Sequence, residues 1–282
     1  MQKIISKKSK KTFYSPLRYP GGKTFLFPFF DEVIKNNKLE KITYIEPFAG
    51  GAGAALALLF SEKVDRIVIN DFDRTIYSFW KSAVFNSKKF INKINSTAVT
   101  IKEWRKQKTI YSDPNSKCFE LGFATFFLNR TNMSGILDGG PIGGLEQKGK
   151  YKIDARFNKE KLTEKIQRLA CYKKRISVFK KDGLELIQEY MNKKNVFVYL
   201  DPPYFEKGAT LYLNHYKKDD HEALAKQLNM NHDSFWLLTY DNKKEIKLLY
   251  PDRQIINFSL NYNAYKSRKG REIMIASDAL II

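Results

Sequence analysis

Short apolar runs of β type alternate with helical patterns along most of the chain. Ile42–Glu46 predicts a strand, Ala54–Phe60 a helix of small apolar residues, and Arg66–Asn70 a second strand ending in Asp71, together a βαβ unit. After Asp71 the alternation stops, and no further strand is predicted until Ile176–Phe179. The intervening stretch carries an aromatic helix over Cys118–Leu128 with Phe119, Phe123, Phe126 and Phe127. A glycine-rich loop follows over Ser134–Gly149, then a helix with Leu162, Ile166 and Leu169 on one face. Alternation then resumes with strand Val196–Leu200, helix Asp219–Met230, strand Phe235–Tyr240 and helix Asn242–Leu249. Ile255–Phe258 and Glu272–Ile275 complete the pattern as a terminal hairpin. The class implied is α/β, an open and mostly parallel sheet interrupted by one helical insertion, with parts at 1–74, 75–174 and 175–282.

Composition narrows the partners. At 282 residues, 43% hydrophobic and 14% aromatic, the chain can bury a large core and is not a disordered segment. A net charge of +20 points to a polyanion, nucleic acid ahead of an anionic membrane surface. The first 23 residues hold seven basic groups and no acid, either an arm for phosphates or a solvated tail. Residues 148–181 carry a further net +10, so the insertion should supply much of any polyanion-binding face. The longest apolar run, Ala52–Phe60, is too short to span a bilayer, and a soluble, cytoplasmic protein is expected. Cys118 and Cys171 lack metal or redox spacing and are expected as core thiols, and His215, His221 and His232 lack zinc spacing. No metal is expected.

Two segments carry candidate chemistry. Strand Ile42–Glu46 runs into Pro47-Phe-Ala-Gly-Gly-Ala-Gly53, where glycines let a ligand approach the backbone, and Asp71 closes the next strand where a carboxylate reaches ribose hydroxyls. A dinucleotide fingerprint needs glycine three positions beyond Gly53, but Leu56 stands there. Glu46 suits a ligand with a positive centre better than a pyrophosphate, and S-adenosylmethionine has such a centre. A structural turn is the competing reading. Pro20-Gly-Gly-Lys-Thr24 ends like a phosphate loop, yet Leu17 occupies the required glycine position and no apolar strand precedes it. The second segment follows strand Val196–Leu200, which stops at Asp201-Pro202-Pro203-Tyr204 at the sheet's carboxyl edge. The Asp201 carboxylate and Pro202 carbonyl can accept the N–H groups of an exocyclic amine, while Tyr204 stacks on the base.

In these residues the chain resembles the Dam-type DNA adenine-N6 methyltransferases, over about residues 14 to 277. Tyr19-Pro-Gly-Gly-Lys23 is similar to the family's amino-terminal cofactor motif, and Tyr44–Gly53 to its cofactor glycine loop. Asp71 matches its ribose-binding acid, Asp182 an acid near the cofactor adenine, and Asp201–Tyr204 its catalytic motif. The resemblance implies a Rossmann-like methyltransferase sheet with an inserted helical target-recognition domain, S-adenosylmethionine as cofactor and double-stranded DNA as substrate, with flipping of the target adenine. It implies catalytic Asp201, Pro202, Pro203 and Tyr204, and cofactor contacts from Tyr19, Lys23, Glu46, Phe48, Gly50, Asp71, Asp182 and Asp201. Phe126–Gly135 resembles a DNA-contacting segment, but Met133 replaces the wedging tyrosine of GATC-reading members and Asp138 replaces their base-reading arginine. Met133 either wedges between bases or packs in the core. Arg130, Arg156 and Asn158 are candidate DNA contacts, as are Lys266, Arg268, Lys269 and Arg271 before the last strand. Alternatives are an RNA adenine or cytosine-N4 methyltransferase and a non-catalytic DNA-binding module. A monomer is expected, and a cognate restriction endonuclease is left open as a partner.

Overall fold

The computed structural model describes residues 14–18, 22–205, 216–262 and 268–282, and the side chains of 259–271 lie outside that description. Seven strands form one sheet in the order β3-β2-β1-β4-β5-β7-β6. They are β1 Thr43–Glu46, β2 Arg66–Asn70, β3 Ile176–Phe179, β4 Val196–Leu200, β5 Phe235–Asp241, β6 Gln254–Tyr262 and β7 Arg268–Ala276. β1 pairs parallel with both β2 and β4, β2 with β3, and β4 with β5. β7 runs antiparallel to β5 and to β6. The central strands are apolar on both faces, as covered parallel strands must be, and all five residues of β4 are buried. Chain order reverses between β1 and β4. The crevice beyond their carboxyl ends is therefore where an open α/β sheet takes a ligand.

Pleating divides the strand side chains between two packed layers. Tyr44, Ile67, Phe197 and Tyr199 face α1 Phe27–Asn36, α2 Gly53–Phe60 and the long helical crossover between β2 and β3. Ile45, Val68, Val198 and Leu238 face α8 Gly183–Tyr190, α9 Lys218–Asn229 and α10 Lys244–Leu248. The crossover consists of α3 Arg74–Phe85, α4 Ser87–Ser96, α5 Ile101–Ser112, α6 Cys118–Thr131 and α7 Lys159–Cys171. Its rings interlock, with Phe126 stacked on Phe79 at 6.0 Å and edge-on to Phe90 at 5.3 Å. These helices share one continuous core with the first face of the sheet.

The expected strands are found, and the terminal hairpin is longer than its apolar centre predicts. Nine residues pair on each side because ladder hydrogen bonds continue past the buried segment. Helix α6 also runs further than its aromatic stripe. Thr125 and Thr131 donate to the carbonyls of Leu121 and Phe127, so polar residues are satisfied inside the helix. The cysteines are a correction, since both are exposed. Cys118 begins α6 ahead of its buried residues, and Cys171 closes α7 on the side away from Leu162, Ile166 and Leu169. Among the described residues no helix is long and apolar enough to cross a membrane.

The α3–α6 contact is close enough to demand glycine. A Cβ on Gly122 would lie 2.2 Å from the Ser78 carbonyl oxygen. Gly122→Ala is expected to cost at least about 1–3 kcal/mol by forcing two helix backbones apart, measured by urea denaturation.

Candidate active site

The turn after β1 and the segment after β4 flank the crevice. Gly50 and Ala52 both adopt left-handed backbone, at φ 45° and 46°. Side chains from three elements hold the turn. Asp71 Oδ2 accepts the Gly50 N–H at 2.9 Å, and the indole of Trp80 in α3 donates to the Gly50 carbonyl at 2.8 Å. Asn70, fully buried, donates to the carbonyls of Pro47 at 2.8 Å and Lys181 at 3.0 Å, joining the loops after β1, β2 and β3. Gly53 lies flush on Thr24, where a Cβ would come within 2.3 Å of the hydroxyl. That close approach seats the neighbouring Lys23 at the crevice.

Lys23, 6% exposed, donates to both oxygens of Asp201 at 2.7 Å and to the Tyr204 hydroxyl at 3.0 Å. Beneath it, Thr239 on β5 donates to Asp201 Oδ1 at 2.8 Å, and the Thr239 hydroxyl is itself 2.8 Å from that of Tyr199. Tyr204 donates to Glu272 Oε1 at 2.5 Å. The carboxylate that ends β4 is thus fixed from several directions before any substrate arrives, which is the preorganisation that positioning chemistry needs.

Further acids surround the turn. Glu46 is buried and accepts from Ala55 N–H at 2.9 Å and the Tyr44 hydroxyl at 3.2 Å. Burial pushes its carboxyl up to about 8, opposed by those two hydrogen bonds. Asp71 is pushed up to about 7 by burial and then by neighbouring Asp73. On the far side, Asp182 caps α8 through the Leu184 N–H at 2.8 Å. The Phe48 ring lies so close to Gly183 that a Cβ there would fall 2.4 Å from it. Tyr216 packs edge-on to Phe48 at 5.5 Å, and its buried hydroxyl has no hydrogen-bond partner among the described residues. Glu46, Phe48, Gly50, Asp71 and Asp182 thus sit at or just beyond the carboxyl ends of β1, β2 and β3, and Asp201 and Tyr204, with Lys23 bonded to them, beyond that of β4. Tyr19 lies outside the described residues.

The family described as D12 class N6 adenine-specific DNA methyltransferase matches residues 19–264. The chain belongs to this family. It is a DNA adenine-N6 methyltransferase, with the open, mostly parallel sheet of a Rossmann-like methyltransferase. The Type II methyltransferase M.MjaIII of Methanocaldococcus jannaschii is 26% identical over 233 residues, 74% of this chain and 77% of its own. The rRNA methyltransferase aviRa from Streptomyces viridochromogenes aligns at a TM-score of 0.41 with 10% identity, over 98% of this chain and 90% of that one. A likeness that loose carries no argument.

The methyltransferase's other expected contacts fall on the helical crossover. Met133 is 42% exposed, which removes the core alternative. It begins a short turn with Ser134 in left-handed conformation, fixed by the buried Asn132 side chain. That side chain accepts from the Trp104 indole at 2.7 Å and donates to the carbonyls of Ile136 and Leu137. Asn129 ties the same turn to Arg18, through the Arg18 N–H at 2.7 Å and the carbonyls of Arg18 and Gly135. Arg130 donates to the Arg156 carbonyl, and burial, then Arg18 and Arg156, push its guanidinium down to about 10. Burial and then Arg130 push Lys165 down to about 8. Arg18, Arg130, Arg156 and Lys165 thus form one cluster of cations, which Arg18 joins to the Met133 turn by donating to the Asn132 carbonyl. Asn158 is exposed and caps α7 through the Lys161 N–H at 2.9 Å. Asp138 is paired with Lys108 at 3.2 Å. Lys266 and the side chains of Arg268, Lys269 and Arg271 lie outside the description.

Sequence reasoning missed Asn70, Thr239, Tyr216 and Glu272. The last had a readable cue, an acid opening an otherwise apolar strand. Of the histidines, His221 is buried with Nδ1 2.7 Å from the Tyr240 hydroxyl, His232 is 3.1 Å from Asp278, and His215 lies outside the description. Among the described residues no group of three or more His, Cys, Asp or Glu is placed to hold a metal.

Glu46 gives a test by pH. Its value lies above the ordinary 4.5 in the folded chain, so the folded protein binds more protons in that interval and stability falls as pH rises towards about 8. Glu46→Gln keeps an acceptor for Ala55 and Tyr44. It is expected to make that decline shallower, read from urea midpoints across the pH range.

Proposed function

We propose that the crevice binds S-adenosylmethionine along the β1–β2–β3 side and receives the target adenine, flipped from duplex DNA, at Asp201–Tyr204. The observation that carries this is the Asp201 carboxylate, held by Lys23 and Thr239 at the switch point opposite the glycine turn. The residues fit the cofactor. The Asp71 carboxylate suits ribose hydroxyls, and the Phe48 ring, Asp182 and the unpartnered Tyr216 hydroxyl suit an adenine. Acidic Glu46, Asp71 and Asp201 suit a sulfonium better than a pyrophosphate. When bound, S-adenosylmethionine supplies a methyl group on a neutral thioether leaving group.

An adenine amine is a weak nucleophile because its lone pair is delocalised into the ring. Asp201 and the Pro202 carbonyl accept its two N–H groups and so aim the nitrogen at the methyl carbon, with Pro203 fixing the course of the backbone. With S-adenosylmethionine bound, the amine would take its methyl group as the thioether leaves, and Asp201 is placed to accept the proton the amine gives up. Tyr204 stacks on the extruded base, worth about 1–3 kcal/mol against the cost of unstacking it. Lys23 holds Asp201 in place, and Tyr19 completes the cofactor side.

The crossover helices act as the target-recognition part. Arg130 and Arg156, with Arg18 and Lys165 beside them, take backbone phosphates, and exposed Met133 stands ready to enter the base stack. Asn158, Lys266, Arg268, Lys269 and Arg271 are further DNA contacts in this reading. Kinship with a Type II methyltransferase supports a cognate restriction endonuclease as partner, and the chain acts as a monomer.

Asp201→Asn is expected to lower methyl transfer by about 10²-fold or more and to lower the melting temperature by stranding the Lys23 ammonium, so transfer is read at a temperature where the variant is folded. The assay is transfer of labelled methyl to duplex DNA, with N6-methyladenine identified by mass spectrometry. Full activity in this variant would refute the assigned role.

A further inference from the structure

Glu272 is a buried acid beside Lys23 and Tyr204 to which the reaction assigns no part. It lies on β7 opposite Asp241 of β5 and is 1% exposed. Its Oε1 accepts the Tyr204 phenol, while Oε2 is buried with no hydrogen-bond partner among the described residues, 3.9 Å from Lys23 Nζ. A buried carboxylate oxygen left without a donor is costly and calls for an explanation.

Asp201 has the opposite difficulty. Lys23 bonds both of its oxygens at 2.7 Å, and Thr239 bonds Oδ1 again. A carboxylate offers about four lone-pair positions, and three are engaged. An incoming amine must compete with an ammonium for what remains. A movement of about 1 Å would bring Lys23 Nζ within charge-assisted hydrogen-bond range of Glu272 Oε2. That shift would release an Asp201 oxygen while keeping the cation buried and paired.

We propose that Glu272 is a positioning residue for methyl transfer, fixing Tyr204 through its phenol and receiving the Lys23 ammonium when the target amine takes its place on Asp201. The inference rests on Asp201 being the amine's acceptor. Glu272 acts through Lys23 and Tyr204 and does not itself touch the base. Among the described residues, the titratable groups facing it are Lys23, Asp201, Asp241 and the phenols of Tyr204 and Tyr199. Burial, then Asp201 and Asp241, push its carboxyl up to about 7 against the pull of Lys23 and the phenol. Only the ionised form draws the ammonium, so kcat should rise with pH through that region.

Glu272→Gln keeps the size and an acceptor for the phenol but removes the charge. It is expected to lower kcat about tenfold or more, leave KM for duplex DNA and Kd for S-adenosylmethionine within about twofold, and abolish the rise in kcat near neutral pH. Glu272→Asp retains the charge, should keep that rise, and should lose less activity. Wild-type kcat and pH profile in Glu272→Gln would overturn the proposal. If the Gln variant does not fold, the Asp variant is read alone, and loss of the rise there overturns it. Failure of both variants to fold would also overturn it, by making the carboxyl a structural group. Asp201→Asn is assayed alongside. Full turnover in that variant would defeat the underlying reading, whereas an inactive Asp201→Asn beside a wild-type-like Glu272→Gln would defeat this inference only.

Discussion

The contact between the Lys23 ammonium and the Asp201 carboxylate organises the active site of this methyltransferase. It joins a segment ahead of α1 to the end of β4, which lie 178 residues apart in the chain. Lys23 is almost fully buried, whereas Asp201 is 25% exposed, so the pair offers a partly accessible acceptor backed by a cation that cannot leave cheaply. Removing one partner of a buried pair costs about 3–5 kcal/mol, because the other charge is stranded. Any variant at either position therefore perturbs stability and chemistry together.

Around this pair the sheet supplies rigidity and the loops supply chemistry. Parallel strands place Glu46, Asp71, Asp182 and Asp201 at or just beyond the same edge, and Asn70, Trp80 and Asp71 bind the loops there to one another. Because Trp80 of α3 donates to the Gly50 carbonyl, the helical crossover and the glycine turn are tied directly together. Asn129 makes a second link, from the Met133 turn to Arg18.

The sheet was legible in the sequence because its central strands are short, apolar and bounded by turn residues. β2, β3 and β4 begin and end where the pattern puts them, and β1 differs by one residue. Helices α1 and α8 escaped the reading. α1 has Pro28 in its first turn and follows a glycine pair, features that read as loop, and α8 is a two-turn helix started by the Asp182 cap. The motifs named Lys23, the glycine turn and Asp201–Tyr204 individually, and only the fold puts them within hydrogen-bond distance. Thr239 was hidden because its role depends on a strand neighbour far apart in sequence, and Glu272, though marked as an acid at the head of an apolar run, takes its role from Lys23 and Tyr204 far away in the chain. Met133 looked like core because apolar character does not reveal which way a turn faces, and the cysteines because helical patterning does not reveal which face is covered.

The most direct test of the central pair is a double-mutant cycle on kcat with Lys23→Met, Asp201→Asn and the double variant, each checked for fold by melting temperature. If the ammonium acts by holding the carboxylate, the double variant should be no slower than Asp201→Asn alone, with a coupling of about 1–3 kcal/mol. Losses that add in free energy would contradict the account, by showing that the two side chains serve methyl transfer independently.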